Sequence, residues 1–469
     1  MPTALTIRPL ALCLALSASL GFSPVARADF LYGRLIPGPG TEAMGSSTDV
    51  DVSADGRTVV FASTAQNWVG DTYNGTRVIA LDLDTGVVEA VSASGSTVFR
   101  GEGPVVSGDG RYVAFLALNH ALGPNWQALR KDRETGALEL ASSNAAGQPP
   151  ALGTQDNTIS ISADGRYIAF QAGAGLAADG GHAPQGASGI IYVKDMQTGQ
   201  VEIASMSSSG ATATDCALYP HALSATGRYL VMTCNAAAVS GATSGQAYVR
   251  DLQANTTELV SRSTGAPNGA SSFANRPAIS PNGRFVSFQT RGYGGLGYAN
   301  GVDSVGNSGV YLRDRQTGTT AAIPRPALVP ADEYDSCGVS AISDIATVML
   351  ACLNNWTGTG RYTQVFLSIP GAGAPEFISP AANGQASNGY AGTTLAVNAS
   401  GLSMAWDSDA SDVDPNDHND ASDIFVLVEE SVFSDAIFID GFETAPAANA
   451  ARGHVRIAPV ADAGVAMLD

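Results

Sequence analysis

Seven aspartates crowd one stretch of the chain: Asp407, Asp409, Asp412, Asp414, Asp417, Asp420 and Asp423, with Asn416 and Asn419 between them. Carboxylates this close repel one another unless water or a cation screens them. Hard oxygen donors at short spacing suit Ca2+. The expected ligand set is drawn from Asp409, Asp412, Asp414, Asp417, Asn419 and Asp423, and the competing reading is a solvated acidic loop. An EF-hand does not fit, because the glycine at its sixth position and the glutamate at its twelfth are missing. A thinner version stands near the N-terminus, Gly70-Asp71-Thr72-Tyr73-Asn74-Gly75. No other cofactor is expected.

Other chemistry is sparse. Cys216, Cys234, Cys337 and Cys352 form an even set beyond the first 28 residues, which in an exported chain reads as two disulfides. Zinc needs closely spaced ligands, and no Cys-x2-Cys pair exists. The histidines, His120, His182, His221, His418 and His454, are isolated in sequence. His221 precedes a turn and could line a channel; a surface or strand position is the blander reading. Only Lys131 and Lys194 are lysines, so a lysine-based site has little to draw on. Gly292-Tyr293-Gly294-Gly295-Leu296-Gly297 matches G-x-G-x-x-G, but no helical pattern follows, which argues against dinucleotide binding. No G-x-S-x-G, H-E-x-x-H or Walker sequence is present.

The 469 residues are 45% hydrophobic and 14% charged, with 53 glycines. That is enough apolar matter for a sizeable core, and the glycine content favours short strands joined by tight turns over helix bundles. The net charge of −19 repels phosphates and anionic membranes, so nucleic acid is not an expected partner. Residues 1–28 read as a secretory leader: Arg8, an apolar run from Leu10 to Phe22, and Ala26-Arg27-Ala28 ahead of Asp29. Cys13 follows a bulky leucine inside that run, against lipidation. No other apolar run is long enough to span a bilayer.

One phrase organises the rest. It reads SADGR from Ser53, SGDGR from Ser107, SADGR from Ser162, SATGR from Ser224 and SPNGR from Ser280, then degenerates to SDIAT from Ser343 and NASGL from Asn398. Successive copies are 54 to 63 residues apart. Each tight turn leads into an alternating strand such as Tyr167-Ile168-Ala169-Phe170. After a Gly/Asn/Asp-rich loop comes a third strand that ends in an aspartate and a Thr-Gly turn, as at Asp195, Thr198 and Gly199. A fourth strand closes the unit. Seven such units predict an all-β fold, a seven-bladed β-propeller of four-stranded antiparallel blades. A blade cannot bury both faces alone, so the stack must close into a ring. The expected organisation is a leader over 1–28, the propeller over 29–430 and a tail over 431–469, partly flexible or a sorting or docking peptide. Phe30 to Ile36 is expected to supply the outer strand of the seventh blade, with Ala436-Ile437-Phe438-Ile439 as the alternative.

The hairpin and third-strand grammar, I-S-x-D-G-R-Y-x-A-F followed by Y-V-x-D-x-x-T-G, resembles the TolB-like, WD40-like propeller repeats (the PD40 type) of bacterial secreted and periplasmic proteins. The resemblance covers roughly residues 30 to 430 and implies the fold and an exported location. Such propellers serve as scaffolds, peptidase gates and occasional enzymes, so it implies no single activity. Residues 417–426 also resemble the D-x-N-G-x-x-D-hydrophobic loop of these repeats, with Asp420 in place of the glycine.

Two pairings follow from the repeat. The arginine starting each second strand should meet the aspartate ending the third, giving Arg57–Asp82, Arg111–Asp132, Arg166–Asp195, Arg228–Asp251 and Arg284–Asp314, all structural. Facing residues of a hairpin have nearly constant index sums. Cys216 with Cys234 centres on the Ser224–Gly227 turn, and Cys337 with Cys352 centres on the aligned turn at Asp344. Cys216–Cys234 and Cys337–Cys352 are therefore the expected disulfides, stabilising and not redox-active. For function, the expectation is a secreted or periplasmic, monomeric, non-catalytic propeller that binds a protein or small-molecule ligand on one face. The alternatives are a hydrolase, lactonase or lyase with its site at the central channel, and a structural cell-envelope module docked by its tail.

Overall fold

A computed structural model describes residues 29–38, 41–118, 125–150, 153–176, 189–234, 245–265, 274–291, 308–324, 326, 337–354, 362–382, 385–429, 439–440 and 454–456. Seven four-stranded antiparallel blades follow one another around a ring. The first runs Ser47–Val52, Thr58–Ser63, Arg77–Asp82, Val88–Ala90 and the second Arg100–Val106, Tyr112–Leu118, Gln127–Asp132, Leu138–Leu140. The third runs Thr154–Ile161, Tyr167–Ala172, Ile190–Asp195, Val201–Ile203 and the fourth Cys216–Ala217, Tyr229–Cys234, Gln246–Asp251, Thr256–Leu259. Blade five is Ala274–Ile279, Phe285–Arg291, Ser308–Asp314, Thr319–Ala322 and blade six Cys337–Ile342, Val348–Asn354, Tyr362–Ser368, Glu376–Phe377. Blade seven takes Ala391–Val397, Ser403–Ser408 and Asp423–Glu429 from the C-terminal side and Asp29–Leu35 from the N-terminal side. One 3-10 turn, Gln66–Trp68, is the only helical element among the described residues.

The N-terminal strand closes the ring, in register from Phe30 opposite Glu429 to Arg34 opposite Phe425. Of the competing segment only Ile439 is among the described residues: Ile439–Asp440 pairs with Leu35 and Arg34 on the outer side of that strand, and further along the tail His454–Arg456 pairs with Leu31 to Asp29. The leader at 1–28 lies outside the described residues.

The turn phrase recurs because it satisfies its own polar groups. In blade three the buried Ser162 hydroxyl donates to Asp164 and accepts from the Tyr167 N–H, while the Asp164 carboxylate accepts the Arg166 N–H. The glycine that follows has φ 69° and faces the previous blade, where a Cβ would stand 2.3 Å from the ring of Tyr112. In the degenerate sixth copy Ala346 takes the same left-handed conformation, at φ 63°. The turns then join into a belt around one end of the channel. The Asp55, Gly108, Ala163 and Ala225 N–H groups donate to Gly108, Ala163, Ala225 and Pro281 carbonyls. Pro281 has no N–H, and Asn282 substitutes, giving its backbone N–H to the Asp344 carboxylate and its side-chain amide to the Asp344 carbonyl. Asp344 N–H reaches Ala399, and the Asn398 amide returns to Ala54.

The middle of every blade carries one large cross-strand pair at the same register: Phe61 with Ile79, Phe115 with Leu129, Phe170 with Tyr192, Met232 with Tyr248, Phe288 with Tyr311, Leu350 with Phe366 and Trp406 with Phe425. Both faces of these strands are covered by neighbouring blades, so nearly every residue in them is buried.

Four of the five expected arginine–aspartate pairs form: Arg111–Asp132, Arg228–Asp251 and Arg284–Asp314 at 2.8 Å and Arg166–Asp195 at 2.6 Å. The Arg111 guanidinium holds the Asp132 carboxyl down to about 2. Blade one departs from the pattern. Arg57 pairs with Asp84 at 3.3 Å, and Asp82 accepts instead from the Thr85 N–H and hydroxyl. The reason is the next residue. Arg111, Arg166, Arg228 and Arg284 each lie 4.7–5.0 Å over the aromatic ring that follows them, which aims the guanidinium. Blade one has Thr58 there and offers no such shelf.

Candidate functional site in the central channel

The first strand of each blade lines the channel, and in blades one, two, three, five, six and seven its pairing is interrupted by an irregularity of register. Such bulges re-aim side chains and are common beside functional sites. Here they set Asp49 at φ 54°, Gly103 at φ 56° and Arg276 at φ 46°, each four residues before its turn serine. His221 in blade four is also left-handed, at φ 57°. Asp49, His221 and Arg276 line one cavity of about 260 Å3 at the channel mouth, together with Thr158, Tyr219 and Thr394.

His221 forms the floor. Its Nδ1 lies 3.8 Å from Asp51 of blade one, and its Nε2 lies 3.2 Å from the carbonyl of Leu395 in blade seven. A carbonyl only accepts, so Nε2 carries a hydrogen and Nδ1 faces the carboxyl. Burial raises the Asp51 carboxyl above the usual range, against the pull of His221 and the N–H groups of Val106 and Val52. A second cavity, of about 170 Å3 and lined largely by Val52, Val106, Leu223, Ile279 and Ile342, opens on the other side of the same two residues. The Asp51–His221 pair thus divides the channel.

The rim is electrostatically uneven. Burial raises the Asp49 carboxyl, and its charged neighbours Asp407 and Glu102 raise it further; one N–H, from Gly103 at 3.3 Å, works the other way. Asp407 is buried and also raised by burial, although the Thr393 hydroxyl and the Thr394 N–H and hydroxyl donate to it. Arg276 is exposed and has no hydrogen bond or ion pair among the described residues; its guanidinium lies over Gly338 of blade six.

The residues singled out from sequence lie elsewhere. Asp414, Asp417 and Asp423 do converge, and they surround the guanidinium of Arg34 at 2.9, 3.4 and 2.8 Å, with Glu42 at 3.2 Å. Asp409 and Asp412 instead accept the Tyr390 and Asn388 N–H groups, and Asn419 donates to the Ala43 carbonyl. Asp420 takes the glycine's place in its loop by adopting φ 51°. The blade-one loop repeats the arrangement: buried Arg77 reaches the carbonyls of Ala65, Tyr73 and Gly75 and lies 3.5 Å from Asp71. In the blade-seven loop Arg34 thus stands among the carboxylates, and in the blade-one loop Arg77 stands beside Asp71; no group of three or more histidine, cysteine, aspartate or glutamate side chains that could hold a metal ion is found among the described residues.

Burial raises the Asp423 carboxyl to about 7 despite its bond to Arg34. The folded chain therefore binds a proton between about pH 4 and pH 7 that the unfolded chain does not, and this contribution to stability is lost as pH rises through that window. It is worth about 4 kcal/mol. Urea midpoints at pH 5 and pH 8 are expected to differ less in Asp423→Asn than in the wild type; an unchanged difference would remove Asp423 as the source.

Cys216 pairs with Cys234 and Cys337 with Cys352, each directly opposite in register. Both lysines are buried: Lys131 Nζ donates to the carbonyls of Ala93 and Gly136, and Lys194 Nζ to those of Ser143, Asn144 and Gly199. The G-x-G-x-x-G segment, His120 and His182 lie outside the described residues. No helix among the described residues is long and apolar enough to cross a membrane. Asp49, Tyr219, Arg276 and Thr394 were not anticipated; the available signal was a charged residue four places before Ser53 and Ser280.

No protein-family model and no curated protein matches the sequence. Among solved structures, the chain is similar to the β-propeller domain of the Trilobed protease from Pyrococcus furiosus, at 11% identity and TM-score 0.49, over 78% of this chain and 91% of that one. It is similar to oligogalacturonate lyase from Vibrio parahaemolyticus, at 10% identity and TM-score 0.49, over 87% and 100%. It is also similar to TolB from Acinetobacter baumannii, at 16% identity and TM-score 0.35, over 70% and 80%. These likenesses concern the fold alone, and the seven-bladed ring rests on the strand pairings of the chain itself.

Proposed function

We propose that this protein is an exported, non-catalytic binding propeller that takes a small ligand in the channel mouth between Asp49, His221 and Arg276. One observation carries the reading: three non-glycine residues on three blades are each held at positive φ and all line a single cavity. Each such conformation costs of order 1–3 kcal/mol and persists where the surrounding fold enforces it, characteristically at ligand sites. Holding is favoured over turnover because the reactive side chains are engaged. Both nitrogens of His221 face protein groups, the four cysteines are paired, and both lysines are buried against carbonyls. Two disulfides and the leader-like N-terminus support export. The alternative, an enzyme at the same channel, is supported by the raised carboxyl of Asp49 beside Asp407.

The test is a thermal-shift screen of small peptides, sugars and carboxylic acids against the wild type and Thr158→Trp, whose indole would fill the cavity. Stabilising compounds are expected to act on the wild type and lose their effect in the variant. Equal stabilisation of both proteins, or none of either, would overturn the site. Conversion of a stabilising compound to product would transfer the assignment to the enzyme reading.

A further inference from the structure

The channel mouth carries two unmatched charges of opposite sign on opposite sides of the ring. Asp49 belongs to blade one and Arg276 to blade five, and in a ring of seven the far side from blade one is blades four and five. The charged groups that act on Asp49 are Asp407 and Glu102, both acidic, and no cation pairs with it among the described residues. Glu102 is itself taken by Arg100 at 2.6 Å, and Asp407 by the two threonines. Across the mouth, Arg276 presents five N–H donors with no carboxylate to receive them among the described residues. The floor neutralises neither group, because Asp51 and His221 are engaged with each other.

A monoanion would satisfy Arg276 and leave Asp49 worse off. A monocation would do the reverse. A single ligand with an ammonium at one end and a carboxylate at the other matches both, with the carboxylate on the guanidinium fork and the ammonium beside the aspartate. The cavity of about 260 Å3 lies just under the usual range of roughly 300–1,000 Å3 for ligand pockets, so the ligand is small. The same cavity is lined by hydroxyl-bearing Thr158 and Tyr219 and by apolar Ile159 and Leu395, a mixture suited to a short backbone with small side chains. Resting on the binding site proposed above, we infer that its ligand is a short zwitterion, a peptide of about dipeptide size with both ends free.

The probes are alanylalanine, its N-acetyl form and its C-terminal amide, titrated by calorimetry at millimolar concentration with melting temperatures read in parallel. Alanylalanine is expected to bind at least tenfold more tightly than either blocked form. Arg276→Gln should erase the difference between alanylalanine and its amide while keeping the penalty for acetylation; Asp49→Asn should do the converse. Both variants must melt as the wild type does without ligand, and Arg276→Lys, which keeps the charge, should retain part of the affinity if one does not. Blocked and free dipeptides binding alike, or variants losing both distinctions together, would overturn the inference. If the dipeptides fail while another compound stabilises the wild type and not Thr158→Trp, the zwitterion is wrong and the channel site stands. If nothing does, both fall.

Discussion

Replacing Arg34 by glutamine is expected to cost about 3–5 kcal/mol of folding stability, the usual consequence of removing one partner from a buried ionic group. Arg34 is 2% exposed and is the cation facing Asp414, Asp417, Asp423 and Glu42. Its Nη2 also donates to the Asn416 carbonyl. Without it, four acidic groups face one another in a poorly solvated pocket, and the N-terminal strand that closes blade seven loses its tie to the C-terminal loop. Urea unfolding of the wild type, Arg34→Gln and Arg34→Gln/Asp423→Asn measures the effect. The double variant should recover part of the loss, since the most buried repulsion is relieved. A loss under 1 kcal/mol would show that water, not Arg34, screens the cluster. Because the guanidinium already supplies positive charge there, the wild-type melting temperature is expected to be the same in EDTA and in millimolar Ca2+; a rise with Ca2+ would add an ion to the cluster.

Removing each disulfide should cost about 3 kcal/mol, the loop-entropy value for closures of this length. The bonded cysteines are 18 and 15 positions apart. They sit in blades four and six with blade five between them, so the two losses should add. Cys216→Ala/Cys234→Ala and Cys337→Ala/Cys352→Ala are therefore each expected to lower the urea midpoint, and the quadruple variant to lose about twice as much. Peptide mapping of the non-reduced protein checks the connectivity. A bond between blades, such as Cys216–Cys337, or losses well under 1 kcal/mol would overturn the assignment.

Both cystines were legible before the fold was known, because a hairpin is a local object. Once the turn is placed at Ser224 or Ser343, the pleat dictates which residues face each other. The same locality made the Arg–Asp pairs readable in four blades, and it failed in blade one where Thr58 removes the aromatic support. The acidic loop was visible but the arginine that faces it was not. Arg34 lies 389 positions from Asp423, and the two meet only because the first strand of the chain completes the last blade.

The sequence by itself determined the blade count, the turns, the second and third strands and the cysteine partners, since each depends on contacts within about 30 residues of chain, repeated until the pattern was unmistakable. Only the tertiary structure decided where the unmatched charges stand. Six of the seven blades give the cavity two or three residues each; Asp49 and Arg276 sit in the repeat position that blades two and three fill with Gly103 and Thr158, and His221 sits one place later in its own repeat. Asp49 and Arg276 share a spacing of four from their turn serines, but nothing along the chain says that this position faces a cavity. Ring closure alone sets the first blade opposite the fourth and fifth, and only then do an aspartate, a histidine and an arginine share one cavity.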